Sequence, residues 1–522
     1  MREFFIGLTL SLLIFSSTQA EKIPHRASVN VPLRHWTYEA LEHLVSRGTI
    51  PAGMIDQKPL TREQVARILS EASMSQSQQE DPSPYLEMLK KEYAYEFLQF
   101  QEEAQLQGIL KRPGVQFHPV DPLRIEPSVA AVEDKEGTTR DNHQGDPLKD
   151  GVNFQADLRS TLLLNPFLAL EATPKILSQE GDTDLFYERF YSQFVWKNFN
   201  FEVGRDSIWW GPGYHGSLLF TDNAPPFDLI KLGSAQPFHL PWFLRHLGYF
   251  HVSNFLTELE NNRVIAHPKL YGFQLQWMPF TFLNLSLNRA IMFGGKGRPE
   301  LDFGEFLDAV GGFNENPPGE GTDPATNTNQ LASINTVLTL PWLSEFLPLV
   351  DGIKFYWEYG GEDEIHQNIL PGVEIPTLGG TANILGLFLS FGPADLRVEY
   401  MDNSDDILTW YAHSAYQSGY TYKGSIIGHH AGGDAEDLFI RASTLLGEKW
   451  RVGLQYDWER HGVEHATVVE TKKEWGGDAT FFYSDNILLQ GSYEWEQIEN
   501  KENVSGEEET NQYFILELQT RF

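Results

Sequence analysis

The residues with the most chemical reach in this 522-residue sequence crowd into one short stretch. Trp209, Trp210, Tyr214 and Phe220 stand close to Arg205, His215, Asp222 and Asn223. Flat apolar rings beside a guanidinium, a carboxylate and an amide serve one of two ends: contact with a partly polar ligand, or packing of a polar interior. A second aromatic group, Trp410, Tyr411, Tyr416, Tyr420 and Tyr422, lies in a later polar loop. His429 and His430 with Asp434 and Asp437 have donor types that bind metals, but the Gly-rich loop around them sets no geometry. A solvated loop is the expectation there, with no metal and no other cofactor. No nucleophile elbow, Walker loop or zinc signature occurs. Carboxylates are so plentiful that no glycosidase pair stands out. The chain reads as a non-enzyme.

Composition narrows the setting. The formal charge of -33 argues against nucleic acid and anionic headgroups as partners. There is no cysteine, so disulfides and lipid attachment through a cysteine are excluded. Arg2 followed by the apolar run Phe4 to Phe15 and small residues through Ala20 reads as a secretory signal over 1–20. No later stretch approaches the roughly 20 apolar residues of a spanning helix. A mean hydropathy of -0.34 suits a soluble protein or a barrel with a polar lumen. Aromatic residues make up 13%, which fits interface girdles, sugar-stacking surfaces, or both.

The elements that must position these residues change type along the chain. Residues 21–112 carry helical periodicity and read as a periplasmic or plug bundle. Ala40, Leu41, Leu44 and Val45 precede a stop at Gly48. Thr61-Arg62-Glu63-Gln64 is a capping box. Pro84 opens a third helix lined by Leu86, Leu89, Tyr93 and Phe97. The first of these segments, from Val31 to Arg62, is also similar to a surface-layer-homology unit; a plain helical hairpin fits equally.

From residue 113 to 522 alternation takes over, as in Asn153–Leu162, Gly352–Gly360, Arg451–Arg460 and the terminal Tyr513–Phe522. Polar partners such as Lys354, Glu358, Arg397, Glu399, Arg451, Asp457 and Glu494 fall on the opposite face. Tight turns at Asn165-Pro166, Lys197-Asn198, Gly392-Pro393, Gly447-Glu448 and Ser484-Asp485 alternate with long polar loops near 134–150, 293–330, 362–381, 404–436 and 499–510. Short turns on one side and long loops on the other indicate a transmembrane barrel of about 18 antiparallel strands, with a final aromatic at Phe522. Parity requires 207–244 to bring the chain back across the membrane, by a hidden strand or by a dip through the lumen. This segment is expected to be an internal plug.

Within that plug the sequence resembles the capsule assembly Wzi family of outer-membrane proteins. The resemblance is carried by Gly204-Arg205, Trp209-Trp210-Gly211-Pro212-Gly213, Gly216-Ser217-Leu218-Leu219 and Asp222-Asn223-Ala224-Pro225-Pro226, with Pro32, Leu33, His35 and Trp36 before them. It implies an all-β barrel plugged by helices and loops, in the outer membrane. It also implies a lectin-like role: binding and organising capsular or other exported polysaccharide at the cell surface. Arg205, Trp209, Trp210, Tyr214, His215, Asp222 and Asn223 are then candidate sugar contacts, as are Trp410 and Tyr411. Packing is the alternative for the first group, and an outer aromatic girdle for the second. Outer-membrane lipid, lipopolysaccharide and the barrel-assembly machinery are the other expected partners, and the expected state is a monomer. A substrate-selective porin is the alternative function.

Overall fold

The computed structural model describes residues 26–51, 55–75, 83–97, 116–117, 123–133, 138–298, 300–311, 328–370, 373–405 and 410–520. The signal expected over 1–20, the later part of the third helix and Phe522 lie outside them.

Eighteen strands form a closed antiparallel barrel. The first six are β1 (Leu123–Ala131), β2 (Gly151–Asp157, resuming as Ser160–Asn165), β3 (Leu168–Gln179), β4 (Asp182–Trp196), β5 (Phe199–Asp206) and β6 (Phe227–Ser234). Next come β7 (Tyr249–Glu258), β8 (Lys269–Phe280), β9 (Leu283–Phe293), β10 (Asn329–Thr339), β11 (Gly352–Leu370) and β12 (Val373–Phe391). The last six are β13 (Ala394–Asp402), β14 (Ala435–Leu446), β15 (Trp450–His461), β16 (Glu470–Ser484), β17 (Ile487–Glu499) and β18 (Glu508–Thr520). Each pairs with its sequence neighbour, and β18 closes on β1 with Phe514 opposite Val129. Closure leaves no unpaired edge, which is what lets a sheet stand in lipid.

Side-chain alternation sorts the two faces. On β18, Phe514 and Leu516 are exposed on the outside while Tyr513 and Ile515 are buried inside. Trp196, Trp242, Tyr249, Phe280, Trp342 and Trp450 are exposed at the turn end, where an interfacial aromatic belt belongs. No helix among the described residues is long and apolar enough to cross a membrane.

The inner face is polar, and several of its charges are paired. Lys175 Nζ donates to Asp146 at 2.6 Å and to Glu188 at 3.0 Å. Arg159 donates to Glu171 at 2.7 Å. Buried charges persist only with such partners.

Three short helices sit at the turn end of the lumen. They are α1 (Thr37–Ser46), α2 (Arg62–Ser75) and α3 (Pro84–Glu92). Their shared core is Leu41, Leu44, Val65, Leu69, Leu86 and Leu89, and it extends to Leu445 of the wall. The capping box forms as its spacing requires: Thr61 N–H donates to Gln64 Oε1 at 2.7 Å and Gln64 N–H to Thr61 Oγ1 at 3.1 Å. Ion pairs fix α1 to the wall. Glu42 accepts from Lys354 at 3.0 Å and from Arg397, and His43 meets Asp395 at 2.7 Å.

Two sequence expectations change. Residues 362–381, read as a polar loop, continue the β11–β12 hairpin, with Gln367 opposite Ile375. Polar composition does not stop a strand whose backbone ladder is complete. The segment 207–244 divides. Residues 207–226 fold into the lumen, whereas 227–234 are wall strand β6, paired with β5 and β7. Parity is met by both of the devices considered: a hidden strand and a dip.

Candidate functional site

The inward loop between β5 and β6 is pinned by two wall carboxylates. Glu399 of β13 accepts the backbone N–H groups of Tyr214, His215 and Gly216 at 2.9, 3.1 and 2.9 Å, and the Tyr356 hydroxyl at 2.6 Å. Glu358 of β11 accepts from Leu218 N–H at 3.2 Å and from the Ser217 and Ser333 hydroxyls at 3.1 and 2.9 Å. Buried N–H groups in a chain with no ladder of its own need such acceptors. Gly216 allows the close approach, since a Cβ there would fall 2.0 Å from the His429 ring. On the turn side, Gln57 and Lys58 pair with Trp210 and Trp209 as a two-stranded ribbon, so the helical region and the plug form one body.

A second loop, described over 403–405 and 410–434, also folds inward and meets the first. Trp410, Tyr411, Tyr416, Tyr420 and Tyr422 are all buried, in one cluster with Leu218, Phe220 and Phe255. Tyr411 Oη donates to Leu218 O at 2.6 Å and stacks on Tyr420. These rings are neither an exposed sugar platform nor a girdle. Trp410 and Tyr411 are buried in this cluster and do not line the lumen cavity described below.

The other candidates separate by geometry. Arg205 lies on the outer face of β5, held by Asp228 of β6 through two 2.7 Å bonds. Its inward neighbours are Glu202 and Asp206, so it stands apart from the lumen group. Trp210 is packed edge-on between Phe220 and Phe255. Asn223 is buried, its amide donating to Ile426 O at 3.1 Å. By contrast Trp209, Tyr214, His215 and Asp222 line a lumen cavity of about 330 Å³, a size suited to a small ligand or one sugar unit. It runs along β16–β18 from Leu488 near the turn end to Glu496 below the loop 138–150.

Around that cavity the polar groups are incompletely paired. Trp209 is 5% exposed and lies under Lys58 Nζ at 5.0 Å, and its indole N–H has no acceptor. Asp222 is 2% exposed; its Oδ2 accepts no hydrogen bond, with Arg34 Nε 3.9 Å away. Burial pushes the Asp222 carboxyl up to about 7, against the pull of Arg34 and Lys58. Tyr214 lies against the Arg397 guanidinium at 3.9 Å and donates its hydroxyl to Glu39 at 3.1 Å. Sequence reasoning missed Arg34, Arg140, Asn142 and Gln144, which complete the lining. Arg34 sits inside the Pro32–Trp36 stretch that had been singled out; the other three carry no local signal. His429 and His430, expected in a solvated loop, are buried against β14 and β15, while Asp434 turns away to cap Glu464 and His465 N–H groups.

Residues 124–513 match the family described as capsule assembly protein Wzi. An uncharacterized 55.8 kDa protein from the cps region of Klebsiella pneumoniae is 31% identical over 183 residues, which are 34% of this chain and 32% of that protein. The chain thus spans about a third of the length of that curated relative. Among solved structures, Wzi of Escherichia coli, described as a carbohydrate-binding β-barrel involved in group 1 capsule assembly, overlays with a TM-score of 0.64 at 17% identity. That overlay covers 95% of this chain and all of the other. OprD of Pseudomonas aeruginosa overlays with a TM-score of 0.45 at 10% identity, covering 78% of this chain and 92% of that one. With the matched region spanning most of the length, the chain belongs to the capsule assembly protein Wzi family.

Proposed function

We propose that this chain is an outer-membrane binding protein, turns toward the periplasm and loops outward, that holds and organises exported polysaccharide at the cell surface. The proposal makes it neither an enzyme nor an open pore. Membership of a capsule assembly family supports the choice of polysaccharide. One observation carries the role of the cavity: Trp209 N–H and Asp222 Oδ2 are both buried there and both lack a hydrogen-bond partner.

A buried donor or acceptor left unpaired costs about 1–3 kcal/mol, so a pair of them is expensive unless something else fills the valence. Sugar hydroxyls give and accept hydrogen bonds together, and the Trp209 ring offers an apolar edge to C–H groups. The porin reading is disfavoured because the packed aromatic plug occupies the lumen that a porin keeps open. Outer-membrane lipid and lipopolysaccharide are the partners proposed for the exposed apolar exterior. The test is cell-bound polysaccharide in a deletion strain carrying variants at Trp209 and Asp222, with folding read separately from heat-modifiable gel migration.

A further inference from the structure

We propose that His215, His430, Asp437 and Asp457 form a binding site for a divalent transition-metal ion of the Zn²⁺ type, which ties both inward loops to the barrel wall. His215 comes from the loop between β5 and β6, and His430 from the loop between β13 and β14. Asp437 lies on β14 and Asp457 on β15. Four separate pieces of chain therefore meet at one point.

Distances favour shared coordination. His215 Nε2 lies 3.0 Å from Asp457 Oδ2 and 3.5 Å from Asp437 Oδ2. His430 Nε2 lies 3.3 Å from Asp437 Oδ2. All four ligand atoms fall within 4.8 Å of one another. Donor atoms bound at about 2.0–2.2 Å around a tetrahedral ion stand roughly 3.3–3.6 Å apart, so little movement is needed to admit one. His429 Nε2, 3.7 Å from Asp437 Oδ2, waits beside the set as a further donor.

The second observation is unmet valence. Asp437 is 2% exposed, and its oxygens accept no N–H; its carboxyl lies within hydrogen-bond reach of the Asp457 carboxyl. His430 Nε2, His429 Nε2 and Asp457 Oδ1 are likewise buried and unpaired. The cation nearby is engaged elsewhere: Lys472 binds Glu459 at 2.8 Å and Asp141 at 2.6 Å. Two carboxylates turned on imidazoles without a cation between them form a costly arrangement in a dry interior. A dication would engage His430 Nε2 and one oxygen from each of the two carboxylates.

Outer contacts fix the ligands, as metal sites require. His215 stacks flat on Phe439 at 3.9 Å, and its backbone N–H is held by Glu399. The His429 N–H donates to Tyr411 Oη at 3.0 Å, which links the site to the aromatic plug. Two imidazoles with two carboxylates select Zn²⁺, Mn²⁺ or a related ion over Ca²⁺ and Mg²⁺, which take oxygen donors.

The test uses the full-length protein purified in detergent, stripped with chelator and exposed in turn to Zn²⁺, Mn²⁺ and Ca²⁺. After gel filtration, elemental analysis should find about one Zn²⁺ per chain and no stoichiometric Ca²⁺. His430→Ala and Asp437→Asn should abolish retention while gel migration remains that of a folded barrel. Should these variants fail to fold, Co²⁺ added to the wild-type protein decides: intense visible bands support the site, and the weak bands of hydrated Co²⁺ overturn it. Wild-type protein that retains no Zn²⁺, or folded variants that retain as much as wild type, would show a hydrogen-bonded cluster only.

Discussion

Glu42 is where the plug is most exposed to a single substitution. It sits on α1, 5% exposed, between Lys354 and Arg397 of the wall. Burial alone would raise its carboxyl, but Arg397 and Lys354 outweigh that and hold it at about 2. Against an ordinary value of 4.5, a drop of that size corresponds to roughly 3 kcal/mol of stability. Removing one partner of a buried ionic group costs about 3–5 kcal/mol by an independent route, because the others are left uncompensated. Glu42→Gln should therefore destabilise the folded protein by about 3 kcal/mol near pH 7. The sign follows from the direction of the shift. A carboxyl depressed in the fold contributes stability above its unfolded value of 4.5, lost as pH falls through about 2. The gap between wild type and Glu42→Gln should thus be full at pH 7 and close as the pH approaches 2. Urea unfolding in detergent, followed by tryptophan fluorescence across this range, measures it. A gap below about 0.5 kcal/mol at pH 7, or one that persists unchanged at pH 2, would refute the ionic clamp.

Two further outcomes follow from the filled lumen and the topology. Planar-bilayer recordings of the wild-type protein should show no steady porin-sized conductance, and Glu42→Gln should admit flickering openings as α1 loosens. Single cysteines are clean probes in a chain that has none. Val264→Cys and Arg245→Cys, both at exposed positions, should label from opposite sides of the membrane, and labelling from one side would sink the strand assignment.

The barrel was legible because alternation and turn spacing are local. Phe514 and Leu516 against Tyr513 and Ile515 carry their sidedness in the sequence itself. The outward position of Arg205 is legible by the same rule, since Asn200, Glu202 and Asp206 share the inner face of β5. The fate of Trp410 and Tyr411 was not legible. Whether a long loop caps a barrel or fills it depends on distant partners such as Leu218 and Phe255, and no local period records them. Glu358 and Glu399 read correctly as inward charges, but their task of holding loop N–H groups appears only when the loop is seen against them. The histidines were hidden for the same reason, since their acidic partners Asp437 and Asp457 lie on two wall strands.

The central claim is that the lumen cavity beside Trp209 and Asp222 contacts polysaccharide. The direct measurement is cell-bound polysaccharide in a deletion strain carrying Trp209→Phe with Asp222→Ala. Neither Trp209 Nε1 nor Asp222 Oδ2 has a hydrogen-bond partner within the protein, so the exchange breaks no hydrogen bond at those atoms and removes one long ion pair, Arg34 to Asp222 at 3.9 Å. Folding should hold, and heat-modifiable migration should stay normal. The account predicts a clear loss of retained polysaccharide at unchanged barrel abundance. Wild-type retention in the folded double variant would contradict it and leave these residues as packing alone.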